Sequence, residues 1–177
     1  MSSPPKPTAP NPTAPNPSAR NPISALNYTV GPPRPDDRAR WRELYRAYAE
    51  FYCEAVTDTQ LDLMWSGVTD PDHDVSALLA RDPSGNAVGL AHYRPYYRPL
   101  AATVAGHLDD LFVEPAARGK GAVDALLEAG DRPSARLERD PLDITADDNY
   151  RARSTYDQVA ERTTWVTYDM QVPPATS

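Results

Sequence analysis

Between Arg38 and Glu54 the apolar residues Trp41, Leu44, Tyr45, Tyr48, Phe51 and Tyr52 recur at the spacing of one helix face. That periodicity predicts an amphipathic helix. It is entered through Pro35-Asp36-Asp37, whose acidic character suits a helix N-terminus. Before it, Leu26–Val30 reads as a short strand closed by Gly31-Pro32-Pro33. Thr59–Trp65 predicts a second, shorter helix, capped by Thr57 or Asp58. The pattern then changes to strand runs. Val75–Ala80 and Ala87–Tyr93 flank the turn residues Asp82-Pro83-Ser84-Gly85-Asn86 and predict a hairpin. Tyr96–Pro99 reads as a loop, and Thr103–Val113 as a long strand in which Asp109-Asp110 breaks the alternation.

Beyond Pro115, which cannot donate to a ladder, Ala122, Ala125, Leu126 and Ala129 return to helical spacing. Pro133 interrupts that helix, since proline inside a helix costs about 3 kcal/mol. Ser134–Arg139 reads as one more helical turn, and Pro141–Thr145 as a short, weakly apolar strand. Asp147 or Asp148 is expected to cap a helix running through Asn149 and Tyr156 to Val159 and Ala160. Thr163–Met170 is the expected closing strand.

Residues 1–24 stand apart. Thr8-Ala9-Pro10-Asn11-Pro12 repeats as Thr13-Ala14-Pro15-Asn16-Pro17, and the segment carries almost no bulky apolar group. Such a composition cannot bury enough surface to offset its ordering entropy, so a disordered, partly polyproline II arm is expected. The folded domain is expected over 25–172, with a short tail at 173–177.

Composition narrows the function. The formal charge is -7 and the pI about 4.9, which argues against a nucleic-acid partner and suits a cationic one. A single cysteine, Cys53, excludes an internal disulfide and a thiolate metal cluster. His73, His92 and His107 lack metal-ligand spacing, so no metal is expected. No run of eighteen apolar residues exists and the N-terminus has no apolar signal core, so the expectation is a cytoplasmic protein without a membrane partner.

The candidate chemistry lies in Leu108–Ala122, a strand, a turn and a helix start. The first N–H groups of a helix have no partner and the dipole there favours anions. Gly119 and Gly121 let a phosphate approach the backbone, and Arg118 and Lys120 add positive charge. The stretch contains neither Gly-x-x-x-x-Gly-Lys-Ser/Thr nor Gly-x-Gly-x-x-Gly. Val113-Glu114-Pro115-Ala116-Ala117-Arg118-Gly119-Lys120-Gly121 instead resembles the acetyl-CoA-binding motif of the GNAT superfamily of N-acetyltransferases. Asn149-Tyr150-Arg151-Ala152-Arg153-Ser154-Thr155-Tyr156 resembles that family's Asn-x-x-Ala-x-x-x-Tyr pattern. Val123 stands where the motif usually has Gly or Ala.

The resemblance implies an α/β fold with a mixed, mostly antiparallel central sheet of six to seven strands flanked by helices. It implies an acyl-CoA-dependent N-acetyltransferase that passes acetyl from acetyl-CoA to a primary amine in a ternary complex. The acceptor would be a polyamine-like molecule or a lysine side chain; Leu108–Val113 and Leu44–Tyr52 resemble the diamine and histone-tail branch. Tyr156 would donate a proton to the departing sulfur, and Asp109 would act as base through a water. Asp110 competes with it, since neighbouring strand residues point to opposite faces and only one is expected in the cleft; the structural alternative for either is a strand carboxylate at a bulge. The backbone of Leu111, Phe112 and Val113 would pair with the pantetheine, and the amides of Arg118, Gly119, Lys120, Gly121, Ala122 and Val123 would hold the pyrophosphate. Asn149 would contact the cofactor arm. The three tyrosines of the first helix either pack the core or line an amine channel. A homodimer stays open. The competing reading is a catalytically impaired GNAT-fold binding or regulatory module.

Overall fold

The computed structural model describes residues 28–130, 142–143, 145, 148–158 and 160–163. The proline-rich arm, the Ser134–Arg139 turn and the closing strand at 163–170 lie wholly or almost wholly outside them. Two compact units divide after Ile144.

In the unit up to Ile144, a sheet in the order β1-β2-β3-β4-β5 is built from β1 (Thr29–Gly31), β2 (Ser76–Arg81), β3 (Ala87–Arg98), β4 (Thr103–Val113) and β5 (Leu142–Asp143). The first three pairings are antiparallel and β4 with β5 is parallel. The mixed, mostly antiparallel sheet is therefore as expected, but among the described residues it has five strands, the last only two residues long, and not six to seven.

The helices are α1 (Arg38–Phe51), α2 (Asp58–Thr69) and α3 (Ala122–Gly130). α1 follows the predicted face but stops at Phe51, and Cys53 beyond it turns the chain with φ +57°. Thr57 caps α2 through a reciprocal box with Gln60, which satisfies two otherwise orphaned donors. Trp41 and Leu44 of α1 and Leu61, Trp65 and Val68 of α2 pack with Leu79, Leu90 and Phe112 into the main core. Leu126 of α3 meets the opposite face of the sheet, beside Gly89 and Val113. Arg38, Arg42 and Arg46 clasp Asp58 and Asp62 across the two helices; these pairs are largely solvated and add little stability individually.

One expectation changes. Tyr96–Arg98 is strand, not loop: β3 continues to Arg98, paired with Thr103–Ala105. β2 accompanies β3 only as far as Tyr93, so Pro95 sits where no second neighbour needs its missing N–H. α3 is described as far as Gly130, and the carbonyl of its Leu126 accepts from the Tyr93 hydroxyl (3.1 Å).

In the other unit, α4 (Tyr150–Tyr156) is capped by Asn149, whose Oδ1 accepts from the Ala152 N–H at 3.2 Å. The cap is thus neither Asp147 nor Asp148.

Candidate active site

The register of β3 with β4 explains the break in alternation. His92 faces Asp110, Tyr93 faces Leu108 and Arg94 faces His107, which leaves Asp109 as the extra residue of a β-bulge. The expectation that Asp109 and Asp110 point to opposite faces fails for this reason. Asp110 meets His92 and Asp109 meets Arg94, and these two β3 residues, two positions apart, share the face beneath α1. The Tyr45 phenol of α1 feels both carboxylates.

Asp110 is tightly held. Its Oδ2 lies 2.8 Å from His92 Nδ1 and accepts from the Tyr45 hydroxyl at 3.3 Å. The Tyr48 phenol also lies close enough to act on this carboxylate. Burial works against its charge, but the hydrogen bonds from His92, Tyr48 and Tyr45 outweigh that and keep the carboxyl below its usual range. The same proximity acts in reverse on the phenols: burial first, then Asp110, raises both Tyr45 and Tyr48 well above the ordinary tyrosine value. Trp41, Tyr45 and Tyr48 stack in sequence along α1, with centroids 5.2 and 5.9 Å apart. The α1 aromatics therefore divide: Trp41 is core, Tyr45 and Tyr48 are half-buried over the carboxylates, and Phe51 is 54% exposed.

Asp109 is held differently. Arg94 Nε donates to its Oδ1 at 2.9 Å, and His107 Nε2 lies 3.4 Å from the same atom. Its Oδ2 is buried and has no partner among the described residues.

The other edge of β4 is only partly paired. β5 pairs with His107 and Leu108, and among the described residues no strand follows alongside Leu111, Phe112 and Val113. Phe112 and Val113 have buried side chains and Leu111 a half-buried one, so these residues offer backbone, not side chains. The chain then turns through Pro115–Ala117. Gly119 and Gly121 adopt φ +73° and +91°, conformations that side-chain-bearing residues resist. α3 begins at Ala122, so the N–H groups of Ala122, Val123 and Asp124 open the helix without intrahelical partners. Arg118 does not project freely: its Nε donates to the Val113 carbonyl (2.8 Å) and its guanidinium lies 5.6 Å from the centre of the Phe112 ring. Lys120 is exposed. Asn149 and Tyr156 stand at the two ends of α4, in the second unit, with Tyr156 half-buried.

Three participants escape the motif reading: Trp41, His92 and Arg94. Their only signal is positional, His92 and Arg94 flanking Tyr93 on a strand and Trp41 one turn before Tyr45 on its helix.

The family model described as "Acetyltransferase (GNAT) family" matches residues 41–160, from α1 to just beyond α4. The chain belongs to that family. An uncharacterized N-acetyltransferase of Bacillus subtilis, YhfO, is 31% identical over 143 residues, 79% of this chain and 95% of its own. The D-amino-acid N-acetyltransferase HPA3 of Saccharomyces cerevisiae is 27% identical over 136 residues, 76% of this chain and 84% of its own. Among solved structures, the aminoglycoside N-acetyltransferase AAC(6')-Iy in complex with a CoA-based bisubstrate analogue aligns with a TM-score of 0.71 at 18% identity, over 82% of this chain and 99% of that one. A ribosomal-protein-alanine N-acetyltransferase from Brucella melitensis aligns with a TM-score of 0.68 at 22% identity, over 82% and 99%. At those identities the structural likeness establishes the GNAT fold. Among the described residues no helix is long and apolar enough to cross a membrane, and no cluster of three metal-ligating side chains occurs.

Proposed function

We propose that the protein transfers acetyl from acetyl-CoA to a primary amine carried by a cationic acceptor. The observation that carries this reading is the bulge, which sets two carboxylates on the face of β4 beneath Tyr45 and Tyr48 of α1, on the strand that leads into the glycine turn expected to hold the cofactor. The cradle fits the cofactor: two positive-φ glycines and the open helix N-terminus present amides suited to a pyrophosphate. Family membership and the CoA-bound structural neighbours support the same cosubstrate. The amides of Arg118–Val123 hold the phosphates, and the backbone of Leu111, Phe112 and Val113 runs beside the pantetheine. Acetyl-CoA supplies the thioester; this chain supplies orientation and protons.

An alkyl ammonium, with a pKa of about 10.4, must lose a proton before it attacks. Asp110, ionised and shielded by Tyr45 and Tyr48, draws the ammonium into the cleft. Asp109 takes the proton through a water, its buried Oδ2 being an acceptor that no group among the described residues satisfies. Tyr156 returns a proton to the thiolate, and Asn149, besides capping α4, steadies the cofactor arm. The acceptor belongs to the polyamine or lysine side-chain class.

Thiol release from acetyl-CoA over a panel of diamines, polyamines, lysine peptides and amino acids tests the reading; no turnover with any amine, despite CoA binding in calorimetry, sinks it. Tyr156→Phe is expected to lower kcat by ~10²-fold, the lower end for a lost acid–base group, with CoA affinity unchanged. An unaltered kcat removes Tyr156 from that role. The binding-module alternative turns on Val123, whose half-buried β-branched side chain borders the cradle; failure of acetyl-CoA to bind would favour it.

A further inference from the structure

Behind Asp110 lies a pair of buried side chains that the reaction itself does not require. His92 is fully buried in β3. The Trp41 indole N–H points at its Nε2 from 3.1 Å, while its Nδ1 faces Asp110 Oδ2 at 2.8 Å. Indole nitrogen only donates, so Nε2 must carry a lone pair. The ring proton therefore sits on Nδ1 and is donated to Asp110, and the imidazole is neutral. The ring is also wedged between aromatics, its centroid 5.9 Å from Trp41 and 5.0 Å, edge-on, from Tyr45.

We propose that Trp41 and His92 are positioning residues: Trp41 selects the Nδ1–H tautomer of His92, and that tautomer fixes Asp110 as the carboxylate that receives the acceptor ammonium. The proposal rests on the acetyltransferase reading of the β4 carboxylates. Every link is set by donor and acceptor type. Trp41 cannot accept, a neutral imidazole has one donor and one acceptor, and an ionised carboxylate only accepts. With the opposite tautomer, the imidazole would set one N–H against the indole N–H and a lone pair against the carboxylate. Asp110 would lose a charge-assisted hydrogen bond in a buried setting. The two tyrosines alone would then orient it, from the more exposed side.

Histidine-selective ¹⁵N NMR on the full chain at mildly alkaline pH tests the tautomer directly. His92 is assigned by the signal lost in His92→Leu and is expected to show a protonated Nδ1 and a bare Nε2. Trp41→Phe keeps an aromatic ring on the stack but deletes the donor; it should populate the Nε2–H form. In kinetics, His92→Leu is expected to raise the amine KM ~10-fold or more, as for loss of a hydrogen bond to a buried charge, with acetyl-CoA KM unchanged. His92→Asn, which keeps a side-chain N–H donor, should recover part of that loss. A wild-type His92 protonated on Nε2, or a folded His92→Leu protein with an unchanged amine KM, overturns the proposal. Absence of turnover with every amine would count against the acetyltransferase reading and with it the ammonium role of Asp110, while the histidine spectrum would still decide which tautomer Trp41 selects.

Discussion

Asp109 and Asp110 are chemically alike and adjacent, yet their surroundings differ, and the proposed reaction gives them separate tasks. His92 and Tyr45 converge on Asp110 with Tyr48 close by, and together they favour its ionised form. Asp109 shares one oxygen with Arg94 and keeps the other without a partner among the described residues. Asp109→Asn is accordingly expected to lower kcat/KM for the amine by ~10²-fold while leaving acetyl-CoA binding intact; initial rates beside CoA calorimetry check it, and an equal loss from Asp110→Asn alone would exchange the roles. The same contacts set the response of stability to pH. The Asp110 carboxyl is lower in the folded state than the ordinary value of about 3.9, so its stabilisation is present above that value and is lost as pH falls through the folded one. Tyr45 and Tyr48 are raised, so the folded chain holds their protons longer than the unfolded chain, and stability declines as pH climbs above about 10. Urea midpoints measured across both limbs should show Asp110→Asn flattening the acid side and Tyr45→Phe with Tyr48→Phe flattening the alkaline side.

At the scale of elements, much was legible because the signals are local. The periodicity of α1, the capping chemistry of Thr57, the hairpin turn at Asp82–Asn86 and the glycine turn before α3 each depend on residues a few positions apart. What was not legible is set across strands. The Asp109-Asp110 break in alternation marked a disturbance, but only the pairing of His92 with Asp110 and Arg94 with His107 turns it into a bulge that places both carboxylates under α1. Likewise Tyr96–Pro99 read as a loop, and only the pairing of Tyr96–Arg98 with Thr103–Ala105 shows that the strand continues there. His92 looked like an ordinary strand residue because its partner Trp41 lies 51 positions earlier. The glycine turn carries its own prediction. A side chain at Gly121, with φ +91°, is expected to cost about 1–3 kcal/mol and to distort the amides that open α3. Gly121→Ala should therefore raise the acetyl-CoA KM ~10-fold or more while the amine KM holds, as judged from paired saturation curves; a shift confined to the amine would detach the turn from cofactor binding.

At the scale of the molecule, the excess of acid becomes specific. A formal charge of -7 by itself governs solubility and long-range attraction and has no bearing on fold. Here the acid is also local: Asp109 and Asp110 lie together on the α1 face of β4. Arg94 offsets part of that charge at Asp109, whereas the donors to Asp110 are a histidine that its hydrogen bonds hold neutral and two phenols whose own ionisation is suppressed. In the proposed reaction a cationic acceptor would be drawn first by the whole chain and then by an anion that its immediate hydrogen-bond donors orient without neutralising. Screening should separate the two contributions, because the Debye length shortens from about 30 Å at 0.01 M to about 8 Å at 0.15 M salt. Over that range kcat/KM for a diamine or polyamine should fall several-fold through KM, while an uncharged amine of similar size, assayed above its pKa, should be little affected. Equal salt dependence for the two acceptors would mean that salt acts on acetyl-CoA, itself an anion repelled by the chain's excess of acid. Acetyl-CoA KM across the same series distinguishes that case, since screening a repulsion improves binding and lowers KM, the opposite direction to the change expected for the cationic amine.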